Sequence, residues 1–586
     1  MPPQSGSTRI MAFCRAQQTR AERGSQRAGD AKGGGVKKWE EIMELPVTII
    51  SWLTAALPLL ILLVLMLAGR WGAAEAGPVS WLIAVGMAWF YFGASAETIG
   101  FESVKGVWSA ITVLYVVWAS ILIYEVSDEG GAFERLRHGI ADVLPDPLVQ
   151  VMAFGWAFAS FLQGVTGFGV PIAVCAPLLV GIGVRPLYAV IIPLIGHAWN
   201  NTFGTLGVAW LGLKEVTAME PLLAAQTALY AAAFIWILNA LGGILVCWLY
   251  DRARGVWHGL PIIVVMSAIQ GGLTLALSQW NDVLNGFVAS SVAFAALFVL
   301  ARLPRYRAEK PRTSSVFTKE AREGTGHDGG GTGSDPQDAA AIASPRALTL
   351  NQAFIPYYAL VLITFAILLV SPLKNSLSAF AFGVDFPETV TDLGFVRDAT
   401  SVSMAPFTHA GSFLLASALI GYVAFRRIGV MKQGSFGRIV RNTVDKSIPS
   451  TIAVIALIAM SNVMAGSGAI EVLAHGAAAA TGPAYGFLAP VVGGLGAFMT
   501  TSNLASNLLF GTFQSSTADA TGLLKPAILG AQTAGGAAGN MIAPGNVLLG
   551  TTTAGILGRE GEVLRVTIPL FTIVALLIGA VVFLVA

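Results

Sequence analysis

The chain has 586 residues, of which 55% are apolar and only 12% are charged, and its formal net charge is +2. A soluble domain carries about 25% charged residues, so this composition excludes an ordinary soluble protein. The sequence also lacks the alternating pattern of a membrane β-barrel. Neither the three cysteines (Cys14, Cys175 and Cys247) nor the six histidines have the spacing of a disulfide or metal site. We therefore predict an all-α polytopic membrane protein without a cofactor.

Residues 1–44 come before the first apolar segment and are polar and rich in glycine and arginine. They lack the apolar stretch of a secretory signal, and we predict a disordered basic tail. An alternative is a wrongly assigned start, because Met43 stands directly before the first apolar segment. N-terminal sequencing of the protein distinguishes the two.

Apolar segments recur along the rest of the chain with the length of roughly 18 to 25 residues that a bilayer core requires. They predict two transmembrane halves, residues 45–303 and 351–586, with about 12 to 14 helices crossing the membrane in total. The predicted full or partial spans are 46–68, 79–94, 107–124, 149–165, 168–184, 187–211, 222–249, 259–279, 283–303, 353–371, 405–425, 448–466, 484–500, 505–516, 526–549 and 566–586.

The first half contains a pair of interrupted apolar segments, Phe161–Pro171 and His197–Thr202. Glycine costs about 1 kcal/mol and proline about 3 kcal/mol in a helix interior, so a continuous helix is disfavoured. Non-helical backbone within a membrane lines a protein cavity, and a helix N-terminus there favours an anion. The predicted binding residues are Gln163, Gly164, Thr166, Gly167, Gly169, His197, Asn200 and Asn201. The alternative for the glycines is close helix packing.

Basic residues cluster in three segments, 250–258, 304–350 and 426–446, and the positive-inside rule places all three in the cytoplasm. Residues 372–404 then lie on the outer side. Segment 304–350 is too polar and glycine-rich to fold alone, and we predict a disordered cytoplasmic linker between the halves. The apolar segments on either side of these clusters argue against nucleic-acid binding.

The second half repeats the interrupted pair at Thr501–Asn507 and Gln532–Asn540. Gln163 and Asn200 are 37 residues apart, and so are Asn503 and Asn540. Interrupted segments at corresponding places in two halves are typical of a transporter's substrate site. The predicted residues are Ser502, Asn503, Ser506, Asn507, Thr533, Gly535, Gly536 and Asn540. The alternative is that these amides only bond neighbouring helices, at a gain of about 0.6 to 2 kcal/mol each.

Several stretches of the chain resemble the lactate permease family. They are Phe161–Ala173, Leu178–Gly183, Pro186–Ala189, Met460–Asn462, Ser502–Phe510, Thr533–Gly536, Met541–Pro544 and Gly558–Glu560. The resemblance covers residues 45–586 except for segment 304–350. It implies a bacterial inner-membrane permease for lactate, glycolate and related 2-hydroxymonocarboxylates, driven by the proton gradient. It also implies a two-repeat fold within the broad ion-transporter group.

Three charges that the family usually has are missing here, because Gln163 replaces a glutamate, Asn503 an aspartate and Asn540 a lysine. Side-chain amides do not titrate at ordinary pH, so coupling needs another group or another ion. His197 is the titratable side chain beside the interrupted segments and is a candidate proton relay. The alternatives are a structural role for His197 and coupling to sodium through amide, hydroxyl and backbone oxygens.

The pattern as a whole favours a secondary active transporter that moves a small organic anion across the bilayer by cation symport. The alternatives are a passive anion channel and a sodium-coupled permease for another small carboxylate or a sulfonate. An enzyme is disfavoured, because the sequence has neither a His-Glu-x-x-His run nor paired intramembrane aspartates. It also lacks a Walker-type phosphate loop.

Overall fold

The computed structural model describes residues 48–69, 71–141, 144–167, 169–307, 311–323 and 348–585. The predictions for the tail 1–44 and for linker residues 324–347 lie outside the described residues. The architecture is helical, as predicted. Within the described ranges, nine helices are long and apolar enough to span a membrane, or ten with one strongly bent pair. The 12 to 14 crossings stay a prediction. The number of crossings depends on whether each interrupted helix and each arm of a helical hairpin is counted as one span.

The described part of the first half contains ten helices. They are α1 (Ile49–Leu67), α2 (Ala73–Phe90), α3 (Ala96–Glu129), α4 (Ala132–Ala141), α5 (Pro147–Val165), α6 (Val170–Gly181), α7 (Pro186–Ala198), α8 (Gly204–Thr217), α9 (Pro221–Ser278) and α10 (Asn285–Leu300). Capping residues stabilise the N-termini of several of these helices. Asp146 caps α5 by accepting hydrogen bonds from the next backbone N–H groups, and Pro147 occupies the first turn.

Helix α9 is a hairpin of two antiparallel arms. The backbone leaves helical geometry at Asp251 and Arg252, and the arms then run side by side. Their buried contact includes a 2.7 Å hydrogen bond from the Asn239 amide to the side-chain oxygen of Gln270. Hydropathy predicts a loop at 250–258, but the reversal needs only two residues, and the second arm is already helical at residue 253.

Part of the predicted linker packs on the first half, which corrects the prediction of disorder for those residues. It contains α11 (Pro304–Arg307) and α12 (Lys319–Glu323). Val316 and Phe317 are fully buried. The Arg185 N–H donates to the Val316 carbonyl at 2.8 Å, and the Thr318 N–H donates to the Gly183 carbonyl at 2.9 Å. The two adjacent apolar residues, together with these backbone hydrogen bonds, attach the short stretch to the first half. The average polarity of the whole segment does not reveal such a local apolar pair.

The second half contains eleven helices in the described residues. They are α13 (Leu350–Ala353), α14 (Ile355–Leu369), α15 (Ser371–Ser378), α16 (Ala410–Ile428), α17 (Ser435–Gly466), α18 (Ala469–Thr481), α19 (Tyr485–Thr500), α20 (Asn503–Thr521), α21 (Lys525–Gly539), α22 (Pro544–Thr553) and α23 (Glu560–Val585). Two short antiparallel strand pairs lie between α15 and α16. Strand β1 (Phe382–Phe386) pairs with β4 (Thr400–Met404), and β2 (Thr389–Val390) pairs with β3 (Val396–Arg397).

The long helices α3 and α17 pack together and join the two halves. A Cβ atom added to Gly106 would lie 2.5 Å from the Cα atom of Ala459, so the two backbones approach closely. Near one end of this contact the Lys446 ammonium pairs with the buried Glu125 carboxylate at 2.5 Å. The interrupted helices pack beside this pair, where the Thr512 hydroxyl donates to the Val216 carbonyl at 2.9 Å.

Candidate functional site

The two interruptions of the first half are breaks between consecutive helices. The first lies between α5 and α6, where Gly167 and Gly169 have φ of +58° and +81°, a left-handed conformation that glycine adopts without strain. The second runs from the end of α7 into the first residues of α8. Thr205, Leu206 and Gly207 are all left-handed there, so regular helix resumes only after Gly207. Left-handed backbone at non-glycine residues is strained and is typical of functional sites.

The second half has the same arrangement. The break between α19 and α20 contains Thr501, whose φ is +57°, and Ser502, which caps α20. The break between α21 and α22 contains Asn540 and ends at Pro544. Gln163 and Asn503 are 340 residues apart, and so are Asn200 and Asn540. This offset relates the second break of the first half to the second break of the second half, but it does not relate the two first breaks equally well. Asn503 begins the helix that follows its break, whereas Gln163 lies in α5, before its break.

The four breaks meet around one small, deeply placed cavity of about 60 Å³. Its walls come from both halves, because α8 packs on α20 and α22 packs on α6 and α7. Seven of the predicted residues line it: Gln163, Gly169, His197, Asn201, Ser502, Asn503 and Asn540. None of the described lining residues is an aspartate, glutamate, lysine or arginine.

The N-terminal ends of four helices border the cavity: Gly169 directly precedes α6, Val208 begins the regular part of α8, Asn503 begins α20 and Asn546 lies in the first turn of α22. The backbone N–H groups of Asn503, Leu504 and Asn546 have no hydrogen-bond acceptor among the described residues. Free N–H groups and the positive end of the helix dipole make each such terminus favourable for an anion. This cavity is therefore electropositive without a cationic side chain, and it suits a carboxylate.

His197 lies against the cavity and is 2% exposed. Its Nδ1 atom is 2.5 Å from the carbonyl oxygen of Pro193. A carbonyl only accepts hydrogen bonds, so Nδ1 carries the hydrogen and Nε2 keeps a lone pair in the neutral ring. The Nε2 atom has no hydrogen-bond partner among the described residues, which leaves it available to a proton or to a substrate hydroxyl.

A chain of three amides crosses one wall of the cavity. The Asn540 amide donates to the side-chain oxygen of Asn201 at 2.8 Å. Asn546 in turn donates to the side-chain oxygen of Asn540. The position at which the family usually has a lysine thus takes part in a neutral hydrogen-bond network that joins the two halves.

A second polar cluster lies behind Asn503. The Asn503 amide reaches the hydroxyls of Thr202 and Thr533, each at 3.4 Å. The Asn507 amide donates to the Thr533 hydroxyl at 3.0 Å and to the Ala209 carbonyl at 2.9 Å. The side-chain oxygens of both asparagines are buried without a hydrogen-bond partner in the described structure.

Several predicted residues lie near the cavity without lining it. Asn200 donates to the Ser160 carbonyl at 2.9 Å and so ties α7 to α5. Ser506 donates to the Gly493 carbonyl at 2.7 Å. The others support the breaks through packing or hydrogen bonds: Gly164, Thr166, Gly167, Asn507, Thr533, Gly535 and Gly536. For Gly164, a Cβ would lie 2.9 Å from the Phe287 Cα atom, as the packing alternative predicts.

Six lining residues are absent from the predicted set: Thr205, Val208, Ala209, Thr501, Leu504 and Asn546. Thr501 already lies within the interrupted segment Thr501–Asn507, and Thr205 lies three residues after His197–Thr202, so a wider window around that interruption would include Thr205. Val208, Ala209 and Leu504 are apolar and carry no sequence signal, because they line the cavity through their position in a first helical turn.

Comparison with known proteins gives a consistent result over nearly the whole chain. The family model described as L-lactate permease matches residues 51–586. The L-lactate permease of Halalkalibacterium halodurans is 26% identical over 535 residues, which cover 89% of this chain and 94% of the relative. Glycolate permease GlcA of Escherichia coli K12 is 26% identical over 562 residues, covering 90% and 94%.

The L-lactate permease of Bacillus subtilis is 24% identical over 573 residues, covering 92% of this chain and 96% of the relative. Among solved structures, the Alcanivorax borkumensis YdaH transporter aligns with a TM-score of 0.41 at 15% identity. That alignment covers 82% of this chain and 86% of the transporter.

Proposed function

Because this chain belongs to the L-lactate permease family, we propose that it is a secondary active transporter of L-lactate, glycolate and similar 2-hydroxymonocarboxylates, coupled to a cation and located in a bacterial inner membrane. The chain is a multi-pass membrane protein of a permease family, and the substrate, the coupling and the membrane are the proposal. The segments 250–258, 304–350 and 426–446 are assigned to the cytoplasm.

One observation carries the proposal: the N-terminal ends of four helices, two from each half, surround a cavity whose described lining has no charged side chain. A substrate carboxylate matches the free N–H groups of Asn503, Leu504 and Asn546. The 2-hydroxyl group both donates and accepts, so it matches side-chain amides such as Gln163 and Asn201. Binding between two halves also suits alternating access better than a fixed pore.

For coupling, we propose a proton taken up at Nε2 of His197. Protonation there converts the ring to an imidazolium, which pairs with the substrate carboxylate, so that the proton and the anion enter as a neutral pair. The ring is held by the Pro193 carbonyl and lines the cavity. Its position therefore allows direct contact between the two charges.

Sodium is the second candidate for the coupling ion. The observation in its favour is the oxygen-rich cluster of Thr202, Thr533, Asn503 and Asn507, in which two amide oxygens are buried and unpartnered. Rotation of the two amides by 180° would turn these oxygens toward the threonine hydroxyls. Hydroxyl, amide and carbonyl oxygens are hard ligands that suit such a cation.

The test is uptake of labelled L-lactate and glycolate into proteoliposomes, with proton and sodium gradients imposed separately. We expect saturable, proton-driven accumulation and accelerated exchange by internal substrate. His197→Asn should abolish accumulation but leave exchange, whereas the control His475→Asn, at an exposed position, should leave both intact. Accumulation only with sodium would move coupling to the asparagine–threonine cluster. Non-saturable flux would favour a channel, and no flux of either acid would refute the substrate assignment.

A further inference from the structure

A second and larger cavity opens where the ends of α10 and α13 meet, and it shares no lining residue with the candidate substrate site. Its volume is about 440 Å³, and its lining includes Phe294, Phe298, Arg302, Arg307, Leu350 and Phe354. Arg307 lies in the predicted cytoplasmic segment 304–350, and Arg302 lies just before it, at the cytoplasmic end of the predicted span 283–303. The cavity therefore combines an aromatic wall with a cationic rim at the level of the inner lipid head groups.

The charge of the rim is not neutralised within the described structure. Neither Arg302 nor Arg307 forms an ion pair with an acidic residue in the ranges described. The neighbouring Arg305 is directed elsewhere and donates to the Trp257 carbonyl at 2.6 Å. Guanidinium groups suit phosphate because their N–H donors form bidentate hydrogen bonds.

The apolar wall is built from phenylalanine rings that contact one another edge-on or at a tilt. Phe294 and Phe298 contact each other with centroids 5.2 Å apart, and Phe294 and Phe354 are 6.5 Å apart. Such a wall suits an acyl chain. It offers neither a hydrogen bond nor an opposite charge to a polar metabolite. Basic pockets between membrane helices on the cytoplasmic side bind anionic lipid head groups.

We propose that this cavity binds one phospholipid with an anionic head group, whose phosphate lies between Arg302 and Arg307 and whose acyl chain lies along the phenylalanine wall. The site is independent of the substrate and of the coupling ion.

The same aromatic wall reaches the first interruption of the transport site. The Phe161 ring is 5.6 Å from that of Phe294 and 5.9 Å from that of Phe354. Phe161 lies two residues before Gln163 on α5. A lipid that fills the cavity therefore supports the end of α5 that carries Gln163, and it should stabilise the folded protein.

The experiment measures binding of phosphatidylglycerol to the purified full-length protein in detergent, by native mass spectrometry and by the shift in Tm. Phosphatidylcholine with the same acyl chains and inorganic phosphate serve as the other probes. We expect phosphatidylglycerol alone to bind at one copy per chain and to raise Tm. Each basic residue near an anionic head group contributes about 1 kcal/mol, so Arg302→Gln/Arg307→Gln should weaken binding by roughly 30-fold.

The matched control is Arg426→Gln/Arg427→Gln, which removes the same charge from exposed arginines at the end of α16 and should leave lipid binding unchanged. A second variant, Leu350→Trp, keeps both arginines but fills the cavity, and it should also reduce binding. The proposal would be overturned if both lipids bound equally well. It would also be overturned if the control pair lost as much lipid binding as Arg302→Gln/Arg307→Gln, or if Arg302→Gln/Arg307→Gln bound lipid like wild type. A deletion of residues 324–347 that creates lipid binding absent from the intact chain would overturn it as well, because the linker would then be the occupant.

Discussion

Asn503 and Asn540 line the same cavity although they lie on different helices of the second half. Both replace residues that are usually charged in the family, one acidic and one basic. Gln163, which also lines the cavity, replaces a second acidic residue. The three replacements together remove two negative charges and one positive charge, and they leave the described lining without a charged side chain. The helix N-termini are then the remaining source of positive potential.

We predict that Asn503→Asp, which adds one negative charge to the cavity at almost unchanged volume, lowers L-lactate uptake by about tenfold or more. Two like charges about 4 Å apart repel by roughly 1 to 4 kcal/mol in water or near a protein surface. Adding Asn540→Lys should restore much of the loss by pairing the new carboxylate. The readout is initial uptake by the two single variants and the double variant in proteoliposomes, and a double variant no better than Asn503→Asp would show that these positions do not interact.

Adjacent residues show what the sequence predicts at this scale and what it does not. Asn200 and Asn201 look equivalent in sequence, yet Asn201 lines the cavity whereas Asn200 bonds to the Ser160 carbonyl. Successive residues on a helical turn point about 100° apart, and only the packing of neighbouring helices decides which direction is the cavity. The sequence therefore predicts where the helix is interrupted, but not which of the two side chains points into the cavity.

At the scale of elements, the first break is held by close contact with the second. Gly167 has a left-handed backbone, and a Cβ added to it would lie 2.2 Å from the Thr205 hydroxyl oxygen. Thr205 is itself left-handed. The two breaks of the first half therefore fix each other, which explains why strained backbone persists here.

We predict that Gly167→Ala lowers the stability of the protein and abolishes transport. The left-handed conformation alone costs an L-residue about 1 to 2 kcal/mol, and the contact with Thr205 adds overpacking of about 1 to 3 kcal/mol. The measurement is thermal unfolding in detergent together with lactate uptake. Gly437→Ala on α17, where an added Cβ meets no atom within 4 Å, is the control and should behave like wild type. Normal uptake by Gly167→Ala would mean that the break can open without loss.

An ion pair fastens the far end of α8. The Lys214 ammonium lies 2.7 Å from the Asp282 carboxylate, to which the Trp210 indole also donates at 2.6 Å. Burial alone would raise the pKa of Asp282, but Lys214 and the hydrogen bonds from Lys214 and Trp210 outweigh it and hold the pKa below its ordinary value. Because the pKa is lower in the folded protein, the ionised carboxylate stabilises the fold at pH values above the ordinary aspartate pKa of about 3.9.

We therefore predict that Asp282→Asn lowers Tm at neutral pH. The difference from wild type should shrink as the pH falls below about 4 and through the lowered pKa, where wild type also loses the charge. The check is Tm as a function of pH for both proteins. Asp445→Asn, which removes an exposed partner of Arg441, is the control and should have little effect at any pH. A constant difference between wild type and Asp282→Asn across the range would contradict the assignment.

At the scale of the whole molecule, hydropathy predicts the helical architecture and the two interrupted pairs. It does not predict how they combine, because pairing depends on contacts between residues about 300 positions apart. The Asn507 amide, for example, donates to the Ala209 carbonyl at 2.9 Å. The Thr202 hydroxyl donates to the Thr533 carbonyl at 3.1 Å. Such bonds leave no trace in local sequence pattern.

These cross-half contacts predict that the covalent connection between the halves is dispensable once the protein is folded. A protease site inserted after residue 331 and cut in the purified protein should leave the fragments co-eluting and the initial rate of lactate uptake unchanged. The uncut variant treated with inactive protease is the control. Separation of the fragments in mild detergent would show that the linker, rather than the interlocked helices, holds the halves together.

The amide chain that joins Asn201 to Asn540 also has a consequence for biosynthesis. The two asparagines are 339 residues apart, and ribosomes add about 5 to 20 residues per second, so the first enters the membrane roughly 20 to 70 seconds before its partner is made. During that interval the polar breaks of the nascent first half have no second half to cover them. Synthesis should therefore depend on membrane insertion and holding factors until α22 arrives, and slow translation of the second half should favour degradation.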